Sequence, residues 1–296
     1  MRSDREIMDL ILRRAQSDPR ILAAYLKGSR TNPNVPKDIY RDFDLMYVVT
    51  ETESFRSDPS WLEDFGQIML MQEQGDAFGY GERFGIQGNY QEGYSWLLLF
   101  ADGSRIDVGV EARQAMERGA WRNKLFLPLV DKAGCLPRLP PPSDEDFHVK
   151  QPDQRQFRGC CKEFFWCLCD VEKGIARDEL PFAMTTYHTL VRPMLEQMLC
   201  WHIGVNTEFS LSCGKLNKYF KRLLSEEDYR AFVRTYPDGD YLRFRRAIDD
   251  ARALFHRTAC SVGTALGFPY PQEDEDGCAR YLDWIRSMGT PPSDLT

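Results

Sequence analysis

Hydrophobic positions change their rhythm near residue 133. Before that point, alternating or continuous apolar runs take turns with stretches of helical spacing; beyond it, helical spacing dominates. Ile7, Leu10 and Ile11 follow Ser3 and Glu6, a capping-box pair, and predict a helix near 4–16. The continuous apolar run 21–26 predicts a strand near 20–27. In 43–50, Phe43, Leu45, Tyr47 and Val49 share one face, as a period of two requires. Further strands are expected near 94–100 and 105–110. Asp102-Gly103 lies between them and is a strong hairpin signal. Helices are expected near 60–72 and 111–119.

The second half predicts long helices near 152–173, 178–203, 214–235 and 240–266. Pro181 falls at the start of the second, where a missing N–H is harmless, and Pro193 falls inside it, where a kink is expected. Three successive prolines, Pro140-Pro141-Pro142, mark the best linker. The organisation expected is therefore α+β. A mixed-sheet domain spans 1–135, a linker 136–150, and an all-helical domain 151–296. Residues from Pro269 onward, rich in Pro, Asp and Gly, are expected to be less ordered until the apolar group 281–285.

Composition narrows the partners. With 296 residues and 43% hydrophobic content the chain buries a large core, and its length suggests two domains. A net charge of -7 argues against a nucleic-acid partner, since covering phosphates needs a basic surface. The same acidity attracts a polycation, although mild acidity also serves solubility alone. No apolar run approaches the roughly 20 residues of a membrane span, and the polar N-terminus does not resemble a signal peptide. Nine cysteines, an odd number at spacings unlike a zinc site, read as reduced thiols of a cytoplasmic protein.

Three fragments carry chemistry. Asp42 and Asp44 project side by side from the polar face of their strand. Adjacent like charges repel, and Mg²⁺ suits such a pair because it takes one or two carboxylates with phosphate oxygens and water. A solvated strand end is the rival account. Gly28-Ser29 closes the first strand in a tight turn, where a glycine lets backbone approach a phosphate and the serine adds donors. Asp107 is a lone acid among Ile106, Val108 and Val110.

Gly-Ser, twelve residues and Asp-x-Asp, followed by a distant strand carboxylate, resembles the nucleotidyltransferase fold of DNA polymerase β-like enzymes. The residues 1–12, Gly28-Ser29-Arg30-Thr31-Asn32, Asp42-Phe43-Asp44, 61–66, 173–179 and Gly214-Lys215 are similar to the aminoglycoside 6-adenylyltransferases, which modify streptomycin. The resemblance extends to about residue 270.

It implies transfer of AMP from ATP to streptomycin, with pyrophosphate leaving; the alternatives are a nucleotidyltransferase acting on another small molecule or a protein, and a non-catalytic relative that binds nucleotide. Asp42, Asp44 and Asp107 are then the Mg²⁺ ligands, and Asp107 is also the base for the antibiotic hydroxyl, with Glu92 as second choice. Gly28, Ser29 and Arg30 are expected at the nucleotide, although a structural ion pair of Arg30 with Asp38 or Asp42 is a rival. Lys215, and less strongly Lys218, are expected at phosphate, since a glycine entering a helix with lysines in its first turn joins positive charge to open N–H groups. Arg192 reads better as an i,i+4 partner of Glu196 than as a phosphate ligand.

Overall fold

The computed structural model describes residues 1–77, 79, 88–119 and 123–288. It divides into two compact units, Met1–Asp146 and Phe147–Thr296. The fold is α+β, a six-stranded mixed sheet in the first unit and helices throughout the second.

In the first unit α1 (Asp4–Ser17) starts at the capping box: Ser3 N–H donates to Glu6 at 2.8 Å and Glu6 N–H to Ser3 Oγ at 3.3 Å. It presents Ile7, Ile11 and Ala15 to the sheet. The strands are β1 (Ile21–Lys27), β2 (Phe43–Val49), β3 (Ile68–Glu73), β4 (Gly93–Phe100), β5 (Arg105–Ala112) and β6 (Phe126–Asp131). Their order is β3-β4-β5-β2-β1-β6, and β2 and β5 run parallel while the other neighbours are antiparallel. Two short helices, α2 (Glu53–Ser57) and α3 (Arg113–Gly119), complete the unit. The larger core covers one sheet face, where Phe43, Leu45 and Tyr47 pack with Ile106, Val108, Val110 and the fully buried Trp96; a smaller cluster of Ala23, Tyr25, Val48, Phe126 and Met116 of α3 covers part of the other.

Two sequence expectations change here. Residues 60–72 are not a helix: a 3-10 turn covers Pro59–Phe65, Gly66 at φ 124° stops it, and the chain continues as β3 at the sheet edge. β6 is an additional strand, and its Pro128 is tolerated because an edge strand has one side without partners. The proline-rich segment is fastened to this unit. Asp131 accepts from Cys135 and Leu136 N–H, and Asp144 accepts from Asn32 and Asn34 at 3.2 and 2.8 Å.

The second unit holds α4 (Gln154–Ala176), α5 (Leu180–Thr186), α6 (Arg192–Asn206), α7 (Phe220–Leu223), α8 (Glu226–Arg234), α9 (Tyr241–Leu266) and α10 (Gln272–Met288). Phe164 of α4 stacks on Phe255 of α9 at 3.9 Å in the core. The fully buried Glu172 accepts from Arg245 at 2.6 Å and Arg286 at 3.1 Å, which ties α4, α9 and α10 together. A buried carboxylate needs such pairing to offset its lost hydration.

The irregularity expected at Pro193 takes the form of a π-helical turn, Tyr187–Val191, between α5 and α6. Arg192 is 4% exposed and pairs with Glu196 at 3.1 Å. The helix expected over 214–235 is broken into a 3-10 turn (Lys215–Asn217), α7 and α8, the last opened by Ser225 capping Asp228 N–H. Residues after Pro271 form α10 rather than a loose segment. Its acidic first turn suits a helix N-terminus, and Cys278, Leu282 and Ile285 bury one face. All nine cysteines are free thiols. Among the described residues no helix is long and apolar enough to cross a membrane.

Candidate functional site

Strand register assembles the acids. Asp44 of β2 and Asp107 of β5 are direct partners in the parallel pair, so their side chains leave the same face of the sheet, opposite the larger core. Lys27, the last residue of β1, is the partner of Asp44 on its other side. Asp42 lies two residues before Asp44 and points the same way.

The turn after β1 comes up against this row. Gly28 sits at φ 73°, and a Cβ built on it would lie 3.0 Å from Asp44 Cγ. Both the conformation and the clearance select glycine there. Gly28–Thr31 form a 3-10 turn, with Thr31 Oγ1 donating to the Gly28 carbonyl at 2.8 Å. Ser29 is therefore held beside the carboxylates. Arg30 is fixed within the same unit: it pairs with Asp4 at 2.5 Å, donates to the carbonyls of Asp42 at 3.2 Å and Arg41 at 2.8 Å, and lies 3.5 Å over the Phe43 ring. Its ionic partner is thus Asp4, neither Asp38 nor Asp42.

The electrostatics follow from the packing. Burial, together with the neighbouring Asp107 charge, pushes the Asp44 carboxyl up to about 6, against the opposing pull of Lys27. Arg105 is the residue in this row that sequence reasoning did not single out. Its guanidinium grips Asp107 in a bidentate pair at 2.8 and 2.9 Å and reaches Asp42 at 3.5 Å. The signal was present, since Arg105 and Asp107 are two apart in one strand and share a face. Lys27 has the same parity argument through Asp44.

Among the described residues no three carboxylate, imidazole or thiol side chains converge as a complete metal cage. Two carboxylates on one face, one held up to about 6 by burial and its neighbour's charge, are a donor set that a divalent cation would relieve.

Lys215 and Lys218 belong to the second unit. Gly214 at φ 75° precedes Lys215, and Leu216 at φ 54° and Asn217 at φ 58° follow it, so Lys215 is flanked by left-handed residues and does not open a regular helix. Non-glycine residues held there cost about 1–3 kcal/mol each, and such strain clusters at functional segments. Asn217 anchors the turn by donating to Glu196 at 2.9 Å, and Lys218 Nζ lies 5.4 Å from the Tyr219 ring centre. Lys215→Ala is expected to weaken ATP binding by about 1.5–3 kcal/mol, the worth of a charge-assisted hydrogen bond. Titration calorimetry with ATP checks it, and unchanged affinity removes Lys215 from the nucleotide site. Glu92 is paired with Arg118 at 2.9 Å.

A family model described as streptomycin adenylyltransferase matches residues 1–285. The chain is 35% identical over 286 residues to an aminoglycoside 6-adenylyltransferase of Bacillus subtilis (strain 168), covering 96% of this chain and 98% of that protein. It is also 35% identical over 275 residues to an aminoglycoside 6-adenylyltransferase of Campylobacter jejuni, covering 93% of each. The crystal structure of an aminoglycoside 6-adenyltransferase from Bacillus subtilis aligns over 97% of this chain and 99% of that one, with 31% identity and a TM-score of 0.47.

Proposed function

The chain belongs to the streptomycin adenylyltransferase family, and from that premise we propose that it transfers AMP from ATP to a hydroxyl of streptomycin. The observation that carries the reading is the shared row of Asp44 and Asp107, with Asp42 beside it and the backbone of Gly28 against it. The reaction forms a bond between the antibiotic oxygen and the α-phosphorus, and breaks the bond from that phosphorus to the departing pyrophosphate.

Asp42, Asp44 and Asp107 would hold Mg²⁺, which supplies positive charge to the triphosphate. Asp107 takes the hydroxyl proton, and for this Arg105 must release it. A released guanidinium beside the triphosphate is suited to the pyrophosphate oxygens, as Lys27 is. Gly28 and Ser29 bring backbone and hydroxyl donors to phosphate, and Arg30 braces the Asp42 backbone. ATP places the reaction in the cytoplasm.

Streptomycin is the expected acceptor because its two guanidinium groups match carboxylates in a bidentate way, and the streptidine ring is the expected site of modification. Mass spectrometry of streptomycin incubated with the protein, ATP and Mg²⁺ should show the addition of one AMP. Kanamycin and spectinomycin, with other amine layouts, should be labelled poorly. Equal labelling of kanamycin, or none of streptomycin, overturns the acceptor.

A further inference from the structure

The face that carries Asp44 and Asp107 continues past them into a cavity of about 440 Å³. Its floor is built by register. Beyond the row Lys27, Asp44, Asp107 and Leu97 comes the row Tyr25, Met46, Gly109 and Ser95, then Ala23, Val48, Glu111 and Gly93. Glycines keep this floor open. A Cβ on Gly109 would overlap the Met46 side chain, and one on Gly93 would touch the Val110 carbonyl at 3.4 Å.

Glu111 stands in this cavity half-buried. Among the described residues its carboxylate has one hydrogen-bond partner, the Tyr25 hydroxyl, which donates to Oε1 at 2.5 Å, and it has no ion pair. The other acid of the lining, Glu92, is already neutralised by Arg118. Burial pushes the Glu111 carboxyl up, and Lys27 at the cavity's near end only partly opposes this. Removing a carboxylate from water without a counter-charge is costly, and a cation delivered by a ligand would offset that cost.

We propose that Glu111 anchors a cationic group of the acceptor, an ammonium carried on a ring other than the modified one in a polycationic aminocyclitol glycoside. The inference rests on the acceptor reading given above and adds the residue that selects for it. Asp107 and Glu111 are four residues apart in one strand, about 13 Å at about 3.3 Å per residue. That separation is bridged by an antibiotic of two or three linked rings whose reacting hydroxyl lies at Asp107. A carboxylate only accepts hydrogen bonds, so it favours a cationic donor over the triphosphate side of ATP, which it repels. The Tyr25 hydroxyl holds one oxygen of Glu111 and so orients the other toward the cavity.

The test is equilibrium binding to the full chain, in the absence of nucleotide, with streptomycin and kanamycin as probes, alongside ATP titrations. Glu111→Gln should raise the Kd for streptomycin by about 10- to 100-fold, the loss of one charge-assisted bond, and leave ATP affinity within about twofold. Glu111→Asp, which keeps the charge but withdraws it by one methylene, should fall between, and keeps the test open if Glu111→Gln does not fold. Unchanged streptomycin affinity in Glu111→Gln overturns the proposal, as does a loss confined to ATP, which would make the cavity the adenine pocket. Wild-type protein that binds neither probe also overturns it. Glu111-dependent binding without transfer of AMP leaves this inference standing and removes the transfer reading instead.

Discussion

Replacing Asp44 by Asn should lower AMP transfer by about 10³-fold, since one carboxylate of the metal set is lost and with it several kcal/mol of charge stabilisation. The same change should stabilise the metal-free protein. A carboxyl held at about 6 when its ordinary value is 3.8 makes folding at neutral pH less favourable by about 2–3 kcal/mol. Because the folded value is the higher one, the penalty is absent at low pH, grows as pH rises from about 4 to 6, and is complete above that. Asp44→Asn should therefore unfold at higher urea than wild type at pH 7.5 without Mg²⁺, and the gap should close near pH 4. Turnover close to wild type with Mg²⁺ refutes the metal assignment. A gap independent of pH refutes the electrostatic account of Asp44.

Gly28→Ala should be nearly as damaging to activity by a different route. Holding alanine at φ 73° costs about 1–2 kcal/mol, and the new methyl would press on Asp44 Cγ at 3.0 Å. Asp44 must then turn away from Asp107. Displacements of about 1 Å at a reacting centre cost about 10²-fold, so kcat should fall by at least that much while the fold persists. Steady-state kinetics beside a urea midpoint separate the two effects. Wild-type turnover in a folded Gly28→Ala protein means that Asp44 is not positioned by this turn.

The parts of the fold that were readable are those in which parity or spacing is strict. Phe43, Leu45 and Tyr47 alternate with Asp42, Asp44 and Met46, and both strand and polar face follow from that. The hairpin at Asp102-Gly103 is closed by Gly103 N–H donating to the Phe100 carbonyl at 2.9 Å. β3 was hidden because Ile68-Met69-Leu70-Met71-Gln72-Glu73 neither alternates nor lacks helix formers; only pairing with β4 makes it a strand. α10 was hidden because Pro269 and Pro271 lie just ahead of it, and its order depends on burying Cys278, Leu282 and Ile285. At the site, the three acids and Gly28 are local signals. The grip of Arg105 on Asp107, and the opposition of Glu111 and Tyr25 across two strands, depend on rotamers and register that no local pattern encodes.

The parallel pairing of β2 with β5 also restricts how this chain can vary in length. Sliding β5 by one residue would turn Asp107 to the face of the larger core, and sliding it by two would carry it about 6.6 Å from Asp44. An insertion or deletion inside either strand is thus incompatible with the paired carboxylates, whichever amino acid is involved. The long connection from Val49 to Arg105 carries no such restriction, provided that β3 and β4 still pair beyond β5. Lineages of this protein should gain and lose residues in that connection while the two strands keep their count.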